Sequence, residues 1–210
     1  MKLCQKAAVK LKKAWRRLTL RGVRYSSDYK KLDAVYAVPD PWGMASSEEQ
    51  FRFRETNRFI LEKFGSVGSI LEIGCGEGHQ SVYLQSVCKQ LTGIDVSERA
   101  VKRAQCRCPR GEFLVGDIFS PKVSSLGPFD LIVACEVIYY MRDVPGALEK
   151  MRALGRNCLI TYYEGELKNL DPQVLAFCPE ALSEVIEFQK GWWRVTWWYG
   201  CQPKSQGERS

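Results

Sequence analysis

Histidine is almost missing from this chain of 210 residues, His79 being the only one. Nine cysteines are present, but their number is odd and none forms a Cys-x-x-Cys pair. One imidazole and no paired thiols leave almost no ligand supply for a zinc site, so no metal is expected. Long apolar runs are missing as well. The longest, such as Leu131 to Cys135, are far too short to span a bilayer. The first residues lack the uninterrupted apolar core of a signal peptide, so the expected setting is cytoplasmic, with reduced and mostly buried thiols. Cys106-x-Cys108, just before Pro109, is the one pair that could be redox-active. No internal repeat is found.

Acids are absent from residues 1–25, which hold nine lysines and arginines. Residues 26–210 carry the other 22 basic and all 24 acidic side chains, a net of −2, so the overall charge of +7 belongs to the N-terminal extension. Its apolar positions Leu3, Ala7, Leu11, Ala14, Trp15 and Leu18 follow helical spacing, which predicts a short basic amphipathic helix. Weak contact with an anionic membrane surface, contact with nucleic acid, and a solvated leader are all open uses for it. The body offers no basic stripe, which disfavours nucleic acid as a partner.

Ser26 to Gly43, with Pro39 and Pro41, reads as loop. Ser46 with Glu49 three residues on is a capping box, and it predicts a helix to about Phe64 with Phe53, Ile60 and Phe64 on one face. Strand and helix then alternate. Strands are expected at 70–73, 91–95, 112–115, 129–135 and 158–163. Helices are expected from Gln80 to Cys88, from Ser97 to about Cys106, and from Asp143-x-Pro145 to Leu154. Trp192 to Tyr199 reads as a late strand by its aromatic alternation, while 172–189 reads either as a helix or as a partner of that strand. The pattern predicts an α/β domain with a parallel, Rossmann-like doubly wound sheet.

The functional signal is Leu71-Glu72-Ile73-Gly74-Cys75-Gly76-Glu77-Gly78, where the first strand turns into a helix. Glycines there permit a sharp turn and close approach of a ligand to the backbone. Asp95 ends the next strand, placed to accept from both ribose hydroxyls of a nucleoside. Asp117 lies just past the third strand, where it can receive an adenine amino group while Ile118 packs on the ring. A dinucleotide site wants Gly-x-Gly-x-x-Gly for its pyrophosphate. Here the spacing is Gly-x-Gly-x-Gly, flanked by Glu72 and Glu77, acids that suit the ammonium of a methionine moiety and repel a diphosphate. The cofactor indicated is S-adenosyl-L-methionine.

These motifs, in this order, resemble the class I methyltransferases over roughly residues 40–200. The resemblance implies a seven-stranded sheet whose last strand is antiparallel. Asp40-Pro41-Trp42-Gly43 ahead of a helix, and Cys135-Glu136-Val137-Ile138-Tyr139-Tyr140 after strand four, are similar to the nodulation-protein-S type of N-methyltransferase. The chain departs from that group where a Tyr-Glu pair is usual, carrying Glu48-Glu49-Gln50-Phe51 instead.

Charge, pattern and resemblance together divide the chain into a basic extension (1–25), a methyltransferase domain (26–200) and a disordered tail (201–210). Within the domain, a lid and helix (26–68) precede the Rossmann-like core (69–200). Cofactor contacts are implied for Trp42, Glu72, Gly74, Cys75, Gly76, Gly78, Asp95, Val96, Asp117, Ile118 and Glu136. Glu136, Tyr139 and Tyr140 are the implied catalytic set, with Glu136 either the general base or a cofactor contact. A small-molecule acceptor follows, first an amino-sugar or oligosaccharide amine, otherwise an O- or carboxyl-acceptor on another metabolite. RNA methylation and a silent partner subunit are weaker alternatives. His79 suits a capping or cofactor contact better than a base. Trp192, Trp193, Trp197 and Trp198 suit packing better than stacking on sugar rings.

Overall fold

The computed structural model describes residue 11, residues 14–189 and residues 191–200. The expected tail at 201–210, and the expected helix over 1–10 and at 12–13, lie outside the described residues. Residues 14–19 are helical. The chain then forms α1 (Tyr29–Val35), α2 (Ser47–Phe64), β1 (Val67–Ile73), α3 (Ser81–Leu84), β2 (Cys88–Asp95), α4 (Glu98–Arg107), β3 (Glu112–Val115) and α5 (Pro121–Ser124). There follow β4 (Phe129–Cys135), α6 (Val144–Leu154), β5 (Gly155–Tyr163), α7 (Leu167–Phe177), β6 (Leu182–Phe188) and β7 (Gly191–Tyr199).

The seven strands make one sheet in the order β3-β2-β1-β4-β5-β7-β6. Pairs from β3 through β5 are parallel, and β7 runs antiparallel to both β5 and β6. This is the sheet that the resemblance implies. Strand order reverses between β1 and β4, and in open α/β sheets that switch point is where ligands bind.

Alternation along the central strands shows why the sheet is covered on both sides. Ile132 and Ala134 of β4 face one apolar layer with Ala147, Leu148 and Met151 of α6 and Leu170 and Val174 of α7. Leu131 and Val133 face the other layer, with Phe59 and Ile60 of α2 and Val101 and Ala104 of α4. A strand buried on both faces must be nearly all apolar, and this one is, Asp130 near its start being the one charged residue and only half-buried. Each fully buried aliphatic side chain contributes at most about 1.5–3 kcal/mol.

Several boundaries differ from the sequence reading. Residues 26–43 contain a helix, α1, because the Asp28 carboxylate caps Lys31 and the turn buries Leu32 and Val35. The helix expected at 80–88 shrinks to Ser81–Leu84, since Val87 is buried and Cys88 already pairs with Val67 in the sheet. The capping box is half formed: the Ser46 hydroxyl accepts from the Glu49 amide, while the Glu49 carboxylate turns to Arg52. Both readings of 172–189 hold in part, a helix to Phe177 and then the strand β6 beside β7. All the described cysteines are free, including exposed Cys106 and buried Cys108. Among the described residues no helix is long and apolar enough to cross a membrane.

Candidate active site

One cavity of about 510 Å³ sits at the switch point. Its floor comes from the carboxyl ends of β1, β2 and β3, and its wall from the segments before α2, the first turns of α2 and the residues that follow β4. Trp42, Glu72, Gly74, Cys75, Gly76, Asp95, Val96, Asp117, Ile118, Glu136, Tyr139 and Tyr140 all line it. The structure brings together every expected site residue but Gly78. A Cβ at Gly78 would lie 2.9 Å from the Ala104 Cα, so this glycine serves the close packing of the loop on α4 and stands off the cavity.

The glycine loop is held by the acid it faces. One Asp95 carboxylate oxygen accepts from the Gly76 amide at 2.9 Å and the other from the Ser97 amide at 2.9 Å. Gly76 has φ +53°, and a Cβ there would meet the Tyr36 hydroxyl at 2.9 Å, so a side chain would close the floor. Burial pushes the Asp95 carboxyl up to about 6 despite these amide bonds. Burial pushes Glu72 further, to about 8, against the pull of the Ser81 hydroxyl that donates to it. Both acids therefore gain from a ligand that brings hydroxyl donors or positive charge. Asp117 anchors its own turn by accepting from the Phe119 amide at 3.0 Å, and burial beside this acid pushes the Tyr29 phenol up to about 12. Buried Ile118 follows.

Glu77 corrects the sequence reading. Its carboxylate pairs with Arg103 of α4 and accepts from the Asp40 amide at 3.0 and 3.1 Å. Its charge is already matched, and its work is to pin the Asp-Pro-Trp segment to the glycine loop. Asp40 in turn accepts from the Met44 amide at 2.7 Å, which shapes the turn into α2. His79 sits beside this pair, 3.5 Å from the nearer Glu77 oxygen and 4.0 Å from Asp40. Asp40, Glu77 and His79 are close enough to share an ion, yet Arg103 already balances the acid at the centre.

Glu136 leaves β4 with φ +57°, a strained backbone for a residue with a Cβ. Its amide donates to the Thr161 carbonyl, and its carboxylate accepts from Tyr139 and from the Thr161 hydroxyl, both at 3.2 Å. Burial lifts its carboxyl to about 7, with Arg52 pulling the other way. Arg52 went unseen in the sequence, where it reads as an exposed position of an amphipathic helix. It is only 1% exposed, pairs with Glu49 at 2.8 Å, and donates to Gln80 at 3.1 Å.

Aromatic rings close the cavity. Tyr36, Trp42, Tyr140, Tyr139 and Tyr163 follow one another with centroids 6.3, 5.7, 4.7 and 5.8 Å apart. Residues 16–25, which the sequence placed in a separate extension, roof them. Arg16 donates to the Trp42 carbonyl at 3.0 Å, and the Tyr25 amide donates to the Tyr139 carbonyl at 2.9 Å. Arg24 lies over Tyr139 and Tyr163 and pairs with fully buried Glu166 at 2.6 Å. The tryptophans of β7 are elsewhere. Trp193, Trp197 and Trp198 are buried, and none lines the cavity.

The family model described as nodulation protein S (NodS) matches residues 27–163. A nodulation protein S of Bradyrhizobium diazoefficiens is 35% identical over 121 residues, 56% of this chain and 56% of the relative. One from Sinorhizobium fredii is 36% identical over 122 residues, 56% of this chain and 55% of the relative. The chain thus spans about half the length of the curated relatives it matches. The crystal structure of N-methyltransferase NodS from Bradyrhizobium japonicum in complex with S-adenosyl-L-homocysteine superposes with TM-score 0.69 at 24% identity. It covers 83% of this chain and 98% of that one. At that identity the likeness speaks for the fold.

Proposed function

The chain belongs to the nodulation protein S family, and on that premise we propose that it transfers a methyl group from S-adenosylmethionine to a small-molecule amine. The observation that carries this reading is the single cavity in which the Gly74–Gly76 loop, Asp95 and Asp117 lie with Glu136 under an aromatic roof. The residues fit the cofactor. Asp95 would accept from the ribose hydroxyls, Asp117 from the adenine amine with Ile118 offering apolar surface to the ring, and Glu72 would answer the methionine ammonium. The bound cofactor supplies a methyl group on a sulfonium, a good leaving group that needs no metal.

The protein's part is positioning and proton handling. Trp42, Tyr139 and Tyr140 offer π faces to positive charge, and they exclude water from the place of transfer. Holding two reactants in line at near-attack distance removes much of the barrier. An amine must arrive uncharged, and burial beside the roof cations Arg16 and Arg24 disfavours its ammonium form. Glu136 takes up the proton released by the methylated amine, a task that suits a carboxylate whose proton affinity lies near neutral pH. Arg52 keeps Glu136 from rising further and ties α2 to the residue before α3 through Gln80, its i,i+3 pair with Glu49 steadying its own side chain.

The acceptor proposed first is an amino-sugar or related saccharide amine. A panel of amino-sugars, hydroxyl and carboxyl acceptors and RNA, offered with radiolabelled methyl donor, tests it. Label on the amines alone supports the reading. Label on hydroxyl or carboxyl compounds, or on RNA, replaces it.

A further inference from the structure

The helical residues near the N-terminus present two different faces. Arg16, Arg17 and Leu20 line the cavity. Leu11, Trp15 and Leu18 point the other way and are 71%, 45% and 74% exposed. Within the helical residues 14–19, the three-residue spacing puts Trp15 and Leu18 on one stripe, roughly opposite Arg16, and Leu11 is exposed as they are. Other large exposed apolar side chains, such as Leu61, Val82, Leu175 and Leu182, are scattered over different elements. Among the described residues, this is the place where exposed apolar bulk meets concentrated charge, since nine Lys and Arg and no acid occupy residues 1–25 of the sequence. Arg21, just after the helical residues, is exposed, and so is the outer part of Arg17 at the cavity rim.

We propose that the Leu11–Trp15–Leu18 face is a docking surface for an anionic lipid bilayer. The occupant follows from the chemistry. An apolar stripe with a tryptophan, edged by cations, suits the boundary between acyl chains and acidic headgroups. Each Lys or Arg near such a surface strengthens binding by roughly fivefold. A nucleic acid would answer the cations and leave the Leu and Trp side chains in water. A second copy on the same face would oppose two segments of nine positive charges with no acid between them. A bilayer answers both features together. Docked in this way, the roof of the cavity lies against the membrane, and the site opens beside the lipid interface.

The test is co-sedimentation of the full chain with phosphatidylcholine vesicles and with phosphatidylcholine vesicles containing phosphatidylglycerol. It compares the wild type with a Leu11→Ser, Trp15→Ser, Leu18→Ser variant. The three positions are exposed and off the cavity, so unchanged circular dichroism and melting temperature are expected and serve as the folding control. The proposal expects the wild type to partition at least about tenfold more strongly into the acidic vesicles, less so in high salt. It expects the triple variant to lose at least about tenfold of that binding. Wild type left in the supernatant with both vesicle types overturns the proposal, and so does a folded triple variant that binds as well as wild type. A wild-type dimer that the triple variant converts to monomer, with no vesicle binding, assigns the face to a second copy instead.

Discussion

The two halves of the cavity are made by different means. At the ends of β1, β2 and β3 the floor consists of short runs of consecutive residues: 74–76, 95–96 and 116–118. There, backbone geometry does most of the work, with glycines at φ +71° and +53° and an aspartate that caps the loop it faces. On the other side the wall converges from distant places: 16–24, 40–53, 80 and 135–141. Its chemistry lies in side chains whose partners are far away in sequence, as Arg52 with Gln80 and Arg24 with Glu166. The floor is built for one constant ligand. The wall is the half that a family can vary to change the acceptor.

Substitutions in the wall should therefore alter turnover and leave nucleoside binding alone. The largest effect is expected at Glu136. Glu136→Gln keeps the shape of the side chain and should lower kcat by about 10²–10⁴-fold. Its affinity for S-adenosylhomocysteine should change by no more than about threefold in a calorimetric titration. Unchanged kcat would reduce Glu136 to a contact. The wild-type kcat/KM should climb with pH through about 7 as the active carboxylate forms, and the Gln variant should lose that limb. The same elevation has the opposite sign for stability. A native carboxyl that holds its proton to about 7 (Glu136) or 8 (Glu72), against 4.5 for an ordinary glutamate, binds more protons than the unfolded chain across that interval. The melting temperature of the ligand-free protein should fall as pH rises there, less so in Glu72→Gln.

Arg52 comes next. Arg52→Met removes a buried cation and strands Glu49 and Glu136, which should cost about 3–5 kcal/mol of stability in denaturant unfolding. It should also move the kcat/KM limb to higher pH, because Arg52 holds the Glu136 carboxyl down. A loss of only surface size would mean that the Glu49 pair alone accounts for this residue. Trp42→Ala has the smallest expected effect, a rise in KM equivalent to about 1–2 kcal/mol from the lost aromatic face, with kcat less affected. A larger loss would show that the ring also holds the Asp40 turn.

The same contrast explains how much could be read from the sequence. The sheet was legible because alternation and capping are local: Glu112–Val115 and Phe129–Cys135 are strands as expected, and Ser97 and Asp143 cap their helices. The floor was legible because Gly74, Gly76, Asp95 and Asp117 follow strand ends that the pattern already located. Gly78 reads the same as its neighbours, and only the packing of Ala104 separates it from them. The wall was legible where a motif crossed it, at Trp42, Glu136, Tyr139 and Tyr140. It was hidden where tertiary contacts make it. Arg52 sits at the right spacing for an exposed i,i+3 pair with Glu49, and only the burial of Gln80 beside it reveals its place. Glu77 looked like a ligand because Arg103, which matches its charge, is 26 residues away.

The claim on which the rest stands is that the floor holds an S-adenosyl nucleoside through Asp95. Calorimetric titration of wild type and Asp95→Ala with S-adenosylhomocysteine, and with NADH in parallel, tests it most directly. The account predicts binding of S-adenosylhomocysteine alone, weakened about a hundredfold or more in the variant, since the loss of a charged acceptor to two hydroxyls is worth about 3 kcal/mol. Preference for NADH, or an Asp95→Ala variant that folds and binds as tightly as wild type, would contradict it.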